Sequence, residues 1–157
     1  MLRRLILAMF ASLAVVLTAL AGPASAAPTT TTIHEKGVVE TFPDVVPSCI
    51  PGGETYIVTT RSNLVEHETV FNDGRVHSTF TQAGKVVSAV PADGTGPTYT
   101  GRFAVWGGFN ANRRTVNGTF TFNVTLKGSD GSRVSNHTVD HFNVRPDGTV
   151  NEFFHCH

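Results

Sequence analysis

The chain has 157 residues, of which 40% are hydrophobic, 15% charged and 9% aromatic, and its formal net charge is zero. Those values describe one ordinary globular domain and exclude a collagen, a coiled coil and a disordered chain. A neutral chain also offers no basic field to hold nucleic acid or an anionic membrane by counterion release, so neither is expected as a partner.

Arg3 and Arg4 precede an apolar run from Leu5 to Leu20 that is broken only by Ser12 and Thr18, and Ala24-Ser25-Ala26 follows with small residues. This is the pattern of a secretory signal peptide over residues 1–26, cut after Ala26. The run approaches the length of a membrane anchor, but the cleavage site comes at once and no basic stop-transfer residues follow. The expected product is secreted and extracellular, with no membrane contact after cleavage. Residues 27–36 begin with Ala27-Pro28 and a run of threonines without periodicity, and read as a flexible leader to a single domain over residues 37–157. Cys49 and Cys156 both fall in the exported part, where one disulfide is the default. Closing so long a loop contributes on the order of 4 to 5 kcal/mol in the chain-entropy model. A reactive thiol pair has little support without a C-x-x-C spacing.

From residue 37 onward no stretch carries a helical apolar period, and the chain reads as short β-strands separated by turns. Strands are predicted near Val38 to Phe42, Tyr56 to Thr60, Leu64 to Phe71, Arg75 to Thr81 and Val86 to Val90. Further strands follow near Tyr99 to Phe109, Thr115 to Lys127, Arg133 to Val144 and Thr149 to Cys156. The clearest is Thr115 to Lys127, where Val116, Phe120, Phe122, Val124 and Leu126 alternate with Thr and Asn, one face core and the other wet. Asn72-Asp73-Gly74, Gln82-Ala83-Gly84, Ser129-Asp130-Gly131 and Pro146-Asp147-Gly148 each end in Gly between strand runs, the form of a three-residue hairpin loop. Successive hairpins make an antiparallel meander. A meander of this length tends to curl, and a Cys49–Cys156 bridge would bring its ends together, so the expected fold is an all-β barrel closed by eight or nine strands.

Three-residue loops fix a register that pairs Val70 with Val76, Phe80 with Val86, Leu126 with Val134, Gly118 with Phe142 and Val144 with Val150. The same register sends polar groups inward: Glu66, Glu68, Asn136, Thr138, Asp140, Glu152 and Tyr56. Burying an unpartnered carboxylate costs several kcal/mol, so these positions should lie at a wet mouth, be paired, or face a ligand. A one-residue slip would exchange them for His67, His77, His137, His141 and His155. His137 and His141 are about 13 Å apart along one strand, too far to share an ion. A two-histidine surface site across the last hairpin is the most the pattern allows, and no metal or cofactor is assigned.

The Tyr99 to Phe109 strand has two readings. A four-residue loop, Asn110 to Arg113, turns Tyr99, Phe103, Val105 and Phe109 inward. A three-residue loop with Asn112 left-handed turns Arg102 and Trp106 inward instead, as a cation for the carboxylates and a stacking surface for a ligand. Gly107-Gly108 could act as a bulge that serves both.

No nucleophile elbow, zincin, P-loop or dinucleotide fingerprint is present. Asp140 and Glu152 come out as diagonal neighbours on adjacent strands, roughly 7 to 8 Å apart at the backbone, a separation at which paired carboxylates can act on a glycoside. A polar barrel interior produces such pairs without any catalytic role. No catalytic residue is therefore assigned.

The whole of residues 35–157, including the segments Asn63 to His77, Tyr99 to Asn110 and Gly128 to Ser132, resembles small secreted all-β proteins of actinobacteria. The resemblance implies export and an all-β fold, and it carries no activity. The leading expectation is a barrel that binds a small-molecule ligand inside, with Tyr56, Glu66, Glu68, Arg102, Trp106, Asp140 and Glu152 as contacts. Phe80, Phe103, Phe120, Phe122 and Phe142 would form the apolar walls. The alternatives are a module that binds or inhibits an extracellular protein through Ala92 to Pro97 and Asn110 to Arg114, and an isomerase or glycosidase using the interior carboxylates.

Overall fold

A computed structural model describes residues 27–46 and 53–156. The expected signal peptide, Cys49 and His157 lie outside the described residues. Seven antiparallel strands form one sheet in which the spatial order is the chain order. They are β1 (Thr29–Val46), β2 (Glu54–Val70), β3 (Val76–Pro91), β4 (Tyr99–Ala111), β5 (Val116–Gly128), β6 (Arg133–Val144) and β7 (Val150–Cys156).

The all-β meander is as expected, but the sheet is not closed into a barrel: β1 and β7 are its two edges. Closure requires edge strands that run alongside one another, and β7 offers 7 residues against the 18 of β1. The strand number also falls short of eight because two predicted pairs of strands fuse. Tyr56 to Thr60 and Leu64 to Phe71 are one strand, β2, and Arg75 to Thr81 and Val86 to Val90 are one strand, β3.

The second fusion overturns the Gln82-Ala83-Gly84 turn and the Phe80 to Val86 pairing. Gly84 sits opposite Ser62 on β2 and Phe103 on β4, in the middle of the sheet. A Cβ there would collide with the Arg61 carbonyl oxygen and the Ser62 backbone. Here glycine marks the close approach of two backbones rather than a turn. Gly107 is likewise no bulge, since β4 keeps an unbroken register with β5 on one side, and with β3 from Val86 to Val76 on the other.

The remaining predicted turns hold. Gly74, Gly131 and Gly148 have φ of 81°, 87° and 82°, the left-handed residue of each hairpin loop. Val70 pairs with Val76, Leu126 with Val134, Gly118 with Phe142 and Val144 with Val150. The expected leader is instead the first part of β1, where Thr29 to Lys36 pair with Val70 to Asn63. Cross-strand bonds such as Thr30 to Thr69 (3.0 Å) and Thr32 to His67 (2.8 Å) hold a segment that has no apolar periodicity to announce it.

The sheet curls around one apolar face. Near one end, Val46 of β1 shares a buried cluster with Tyr56, Val86, Tyr99, Val124 and Leu126, and Val134 of β6 packs against it. Toward the other end, Val76, Phe80, Phe109, Phe120 and Phe142 form a second cluster. Phe120 stacks on Phe142 with ring centroids 5.3 Å apart and meets Phe80 at 5.4 Å.

Candidate ligand site on the concave face

Residues opposite one another in an antiparallel pair share a face, so the register fixes which side chains point into the curl. On β4 these are Tyr99, Phe103, Val105 and Phe109; the loop has four residues, but it spans Asn112 to Thr115 rather than Asn110 to Arg113, since Ala111 still pairs with Val116. Asn112 holds that loop by accepting the Arg114 and Thr115 amides through Oδ1 (2.8 and 2.9 Å), with no left-handed residue. Arg102 and Trp106 therefore face outward; Trp106 is 39% exposed, and neither lines the concave face. The reading that placed them beside the carboxylates is corrected.

A cavity of about 90 Å³ opens on the concave face. Phe80, Phe103, Phe120 and Phe122 form apolar walls, joined by Val124 and Leu126. Its polar corner comes from Glu40, Thr60 and Gln82, neighbours across β1, β2 and β3, and Asp44 and Asn136 also line it. Gln82 Nε2 donates to Ser62 Oγ (2.9 Å) and to Glu40 Oε2 (3.1 Å), which fixes the carboxylate of β1 against β3. Thr60 is only 4% exposed and its Oγ1 has no hydrogen-bond partner. A buried hydroxyl without a partner is costly unless something in the cavity completes it. Asp44 is held above the usual carboxylate range, chiefly because burial disfavours its charge.

The other expected contact residues are inward-facing but not gathered in one place. Tyr56 is buried in the core cluster, its ring 5.6 Å from that of Tyr99, and burial raises its phenol. Glu66 accepts from the fully buried Ser78 Oγ at 2.7 Å. Its neighbour Glu68 is raised, first by burial and then by the Glu66 charge. Asp140 is 1% exposed and neither carboxyl oxygen has a hydrogen-bond partner. It pairs across the strands with Phe154, and Glu152 with Phe142, as the predicted register required. Burial, and then the adjacent Glu152 carboxyl, push Asp140 up to about 6. None of Tyr56, Glu66, Glu68, Asp140 and Glu152 lines the cavity.

Sequence reasoning missed Glu40, Asp44, Thr60 and Gln82. Gln82 was lost with the mistaken turn. On β1, Val38, Glu40, Phe42, Asp44 and Val46 do alternate, but a bulge at Gly37 (φ +67°) resets the register and detaches this signal from the threonine run before it.

The fold also sorts charge. Concave positions on β1 carry Glu35, Glu40 and Asp44; on β2, Glu54, Glu66 and Glu68; on β6 and β7, Asp140 and Glu152. Outward positions on the strands carry Lys36, Arg61, Lys85, Arg102, Lys127 and Arg133. The other described acids, Asp73, Asp93, Asp130 and Asp147, sit in hairpin loops, where bonds from the backbone amide two residues on, and for Asp130 first from the Ser132 hydroxyl, keep them below the ordinary range. The outward histidines make cross-strand bonds, His77 to Asn110 (2.7 Å) and His141 to Thr119 (2.8 Å) among them. Among the described residues no group of three metal-type ligands forms.

In comparisons with known proteins, no family model, curated protein or solved structure matches the chain.

Proposed function

We propose that this protein is a secreted ligand-binding domain whose concave face takes one small, mostly apolar molecule. The proposal treats residues 1–26 as a cleaved signal peptide, Cys49 and Cys156 as bridged, and the chain as one of the small secreted all-β proteins of actinobacteria that it resembles. One observation supports it above the others: an aromatic-walled cavity of about 90 Å³ with the buried, unpartnered Thr60 hydroxyl at its polar corner. Apolar walls with a few convergent polar groups are the usual make-up of a small-molecule site. The volume suits a molecule about the size of a single aromatic ring. Binding through the loops has less behind it, since Ala92 to Pro97 and Asn110 to Arg114 expose no large hydrophobic side chain.

Native and denaturing mass spectra of the mature protein from culture supernatant test the reading, together with calorimetric titration of 2-phenylethanol. A ligand lost on denaturation, or saturable binding of 2-phenylethanol that Phe122→Ala weakens, is the expected result. An apo mass together with no binding of the alcohol overturns it. The denatured mass also reads the bridge, about 2 Da below the reduced chain.

A further inference from the structure

We infer that the ligand of the concave face is an organic cation, a small aryl or alkyl ammonium, an inference that rests on the cavity reading above and names its ligand class.

Every strand acid among the described residues points into the curl and every strand lysine or arginine points out of it. The salt bridge found among the described residues, Arg75 to Asp73 at 2.7 Å, lies in a hairpin loop, so it neutralises nothing inside. Arg102, the one strand cation that the sequence could have turned inward, faces solvent. A chain of zero formal charge thus presents one negative concave face. Low-dielectric walls around such a face focus its field on whatever enters.

Acid placement alone would describe a solvated rim, and Glu35, Glu54 and Glu152 are indeed exposed. A further observation points to a ligand: the Thr60 hydroxyl is buried, unpartnered and lines the cavity. Glu40 and Asp44 line the cavity together with the rings of Phe42, Phe80, Phe103, Phe120 and Phe122. Carboxylates and aromatic rings lining one space are complementary to a cation with an apolar body, through charge attraction and cation–π contact. A metal ion fits less well, because the carboxylates are spread over four strands and nowhere converge in threes among the described residues.

The test compares three ligands of like shape by calorimetry at low and high salt: 2-phenylethylammonium, 2-phenylethanol and 3-phenylpropionate. The ammonium should bind about tenfold more tightly than the alcohol at low salt. That ratio should shrink at high salt, and the carboxylate should not bind. Glu40→Gln should lower the ammonium affinity severalfold and shift the alcohol's by a clearly smaller factor. Asp44→Asn repeats the measurement if Glu40→Gln disturbs the Gln82 network. Alcohol binding as tightly as the ammonium overturns the cation inference and leaves the cavity reading standing. Carboxylate binding tightest of the three overturns it as well. Binding of none of the three overturns both.

Discussion

Asp140 shows how a single side chain can record its surroundings. It is buried against Phe120 on β5 and Phe154 on β7, with Glu152 and His141 as its titratable neighbours, and its carboxyl is pushed from 3.8 up to about 6. The folded protein therefore holds a proton that the unfolded chain releases between those two values. The group's contribution to stability is greatest below that window and is lost as pH rises through it. Melting temperature should be higher at about pH 5 than at about pH 7.5, and Asp140→Asn should flatten that slope and raise the value at the higher pH. Asp44 and Glu68 shift in the same direction, so a smaller slope of the same sign should remain. The hairpin aspartates are shifted downward and lose their contribution only at lower pH, outside this window. An unchanged slope in the variant would move the effect to other groups. Gly84 makes the complementary steric case. With the Arg61 carbonyl and Ser62 backbone against it, Gly84→Ala should cost about 3 kcal/mol in urea unfolding, with near-zero loss excluding the close approach.

At the scale of elements, the strands divide by how they are anchored. β2 to β6 each have two neighbours and bury an alternating face, so register is specified on both sides. β7 has only β6, and exposes Phe153 at 61% and Phe154 at 48%. Phe153 stacks on His155 along the outer face of the strand rather than entering the core. An aromatic edge strand is a template for pairing with another chain. Phe153→Lys should change stability by less than about 0.5 kcal/mol while reducing self-association at high concentration. Sedimentation of the two forms checks this, and equal association would show that the edge is not what pairs.

Over the whole molecule, an open sheet must still bury enough apolar surface to be stable, and it does so by curling until β1 and β6 contribute to one cluster. Phe120 belongs to the second cluster, stacks on Phe142 and also walls the cavity. Phe120→Ala should therefore cost about 4 kcal/mol in chemical unfolding and weaken any ligand held there. A loss below about 1 kcal/mol would mean that the concave face collapses around the gap. The same curl places the strand acids around one space while the bases face out, a property of the assembled sheet rather than of any strand.

Local chemistry in the sequence was enough to establish the all-β class, three of the hairpin turns and the inward direction of Glu66, Glu68, Asp140 and Glu152. Period-two alternation and a glycine after Asp act over a few residues and survive any tertiary arrangement. The fate of Gln82-Ala83-Gly84 depended on how closely the β2 and β4 backbones approach, which no local pattern encodes. The direction of Arg102 depended on one residue of loop length. Strand count, the open edges and the meeting of Glu40 with Gln82 were equally beyond local pattern, because each joins residues far apart in the chain. Alternation within single strands was enough to set the faces of β2, β5, β6 and β7; which faces meet around a cavity followed from the curl, and curl is set by packing across the whole sheet.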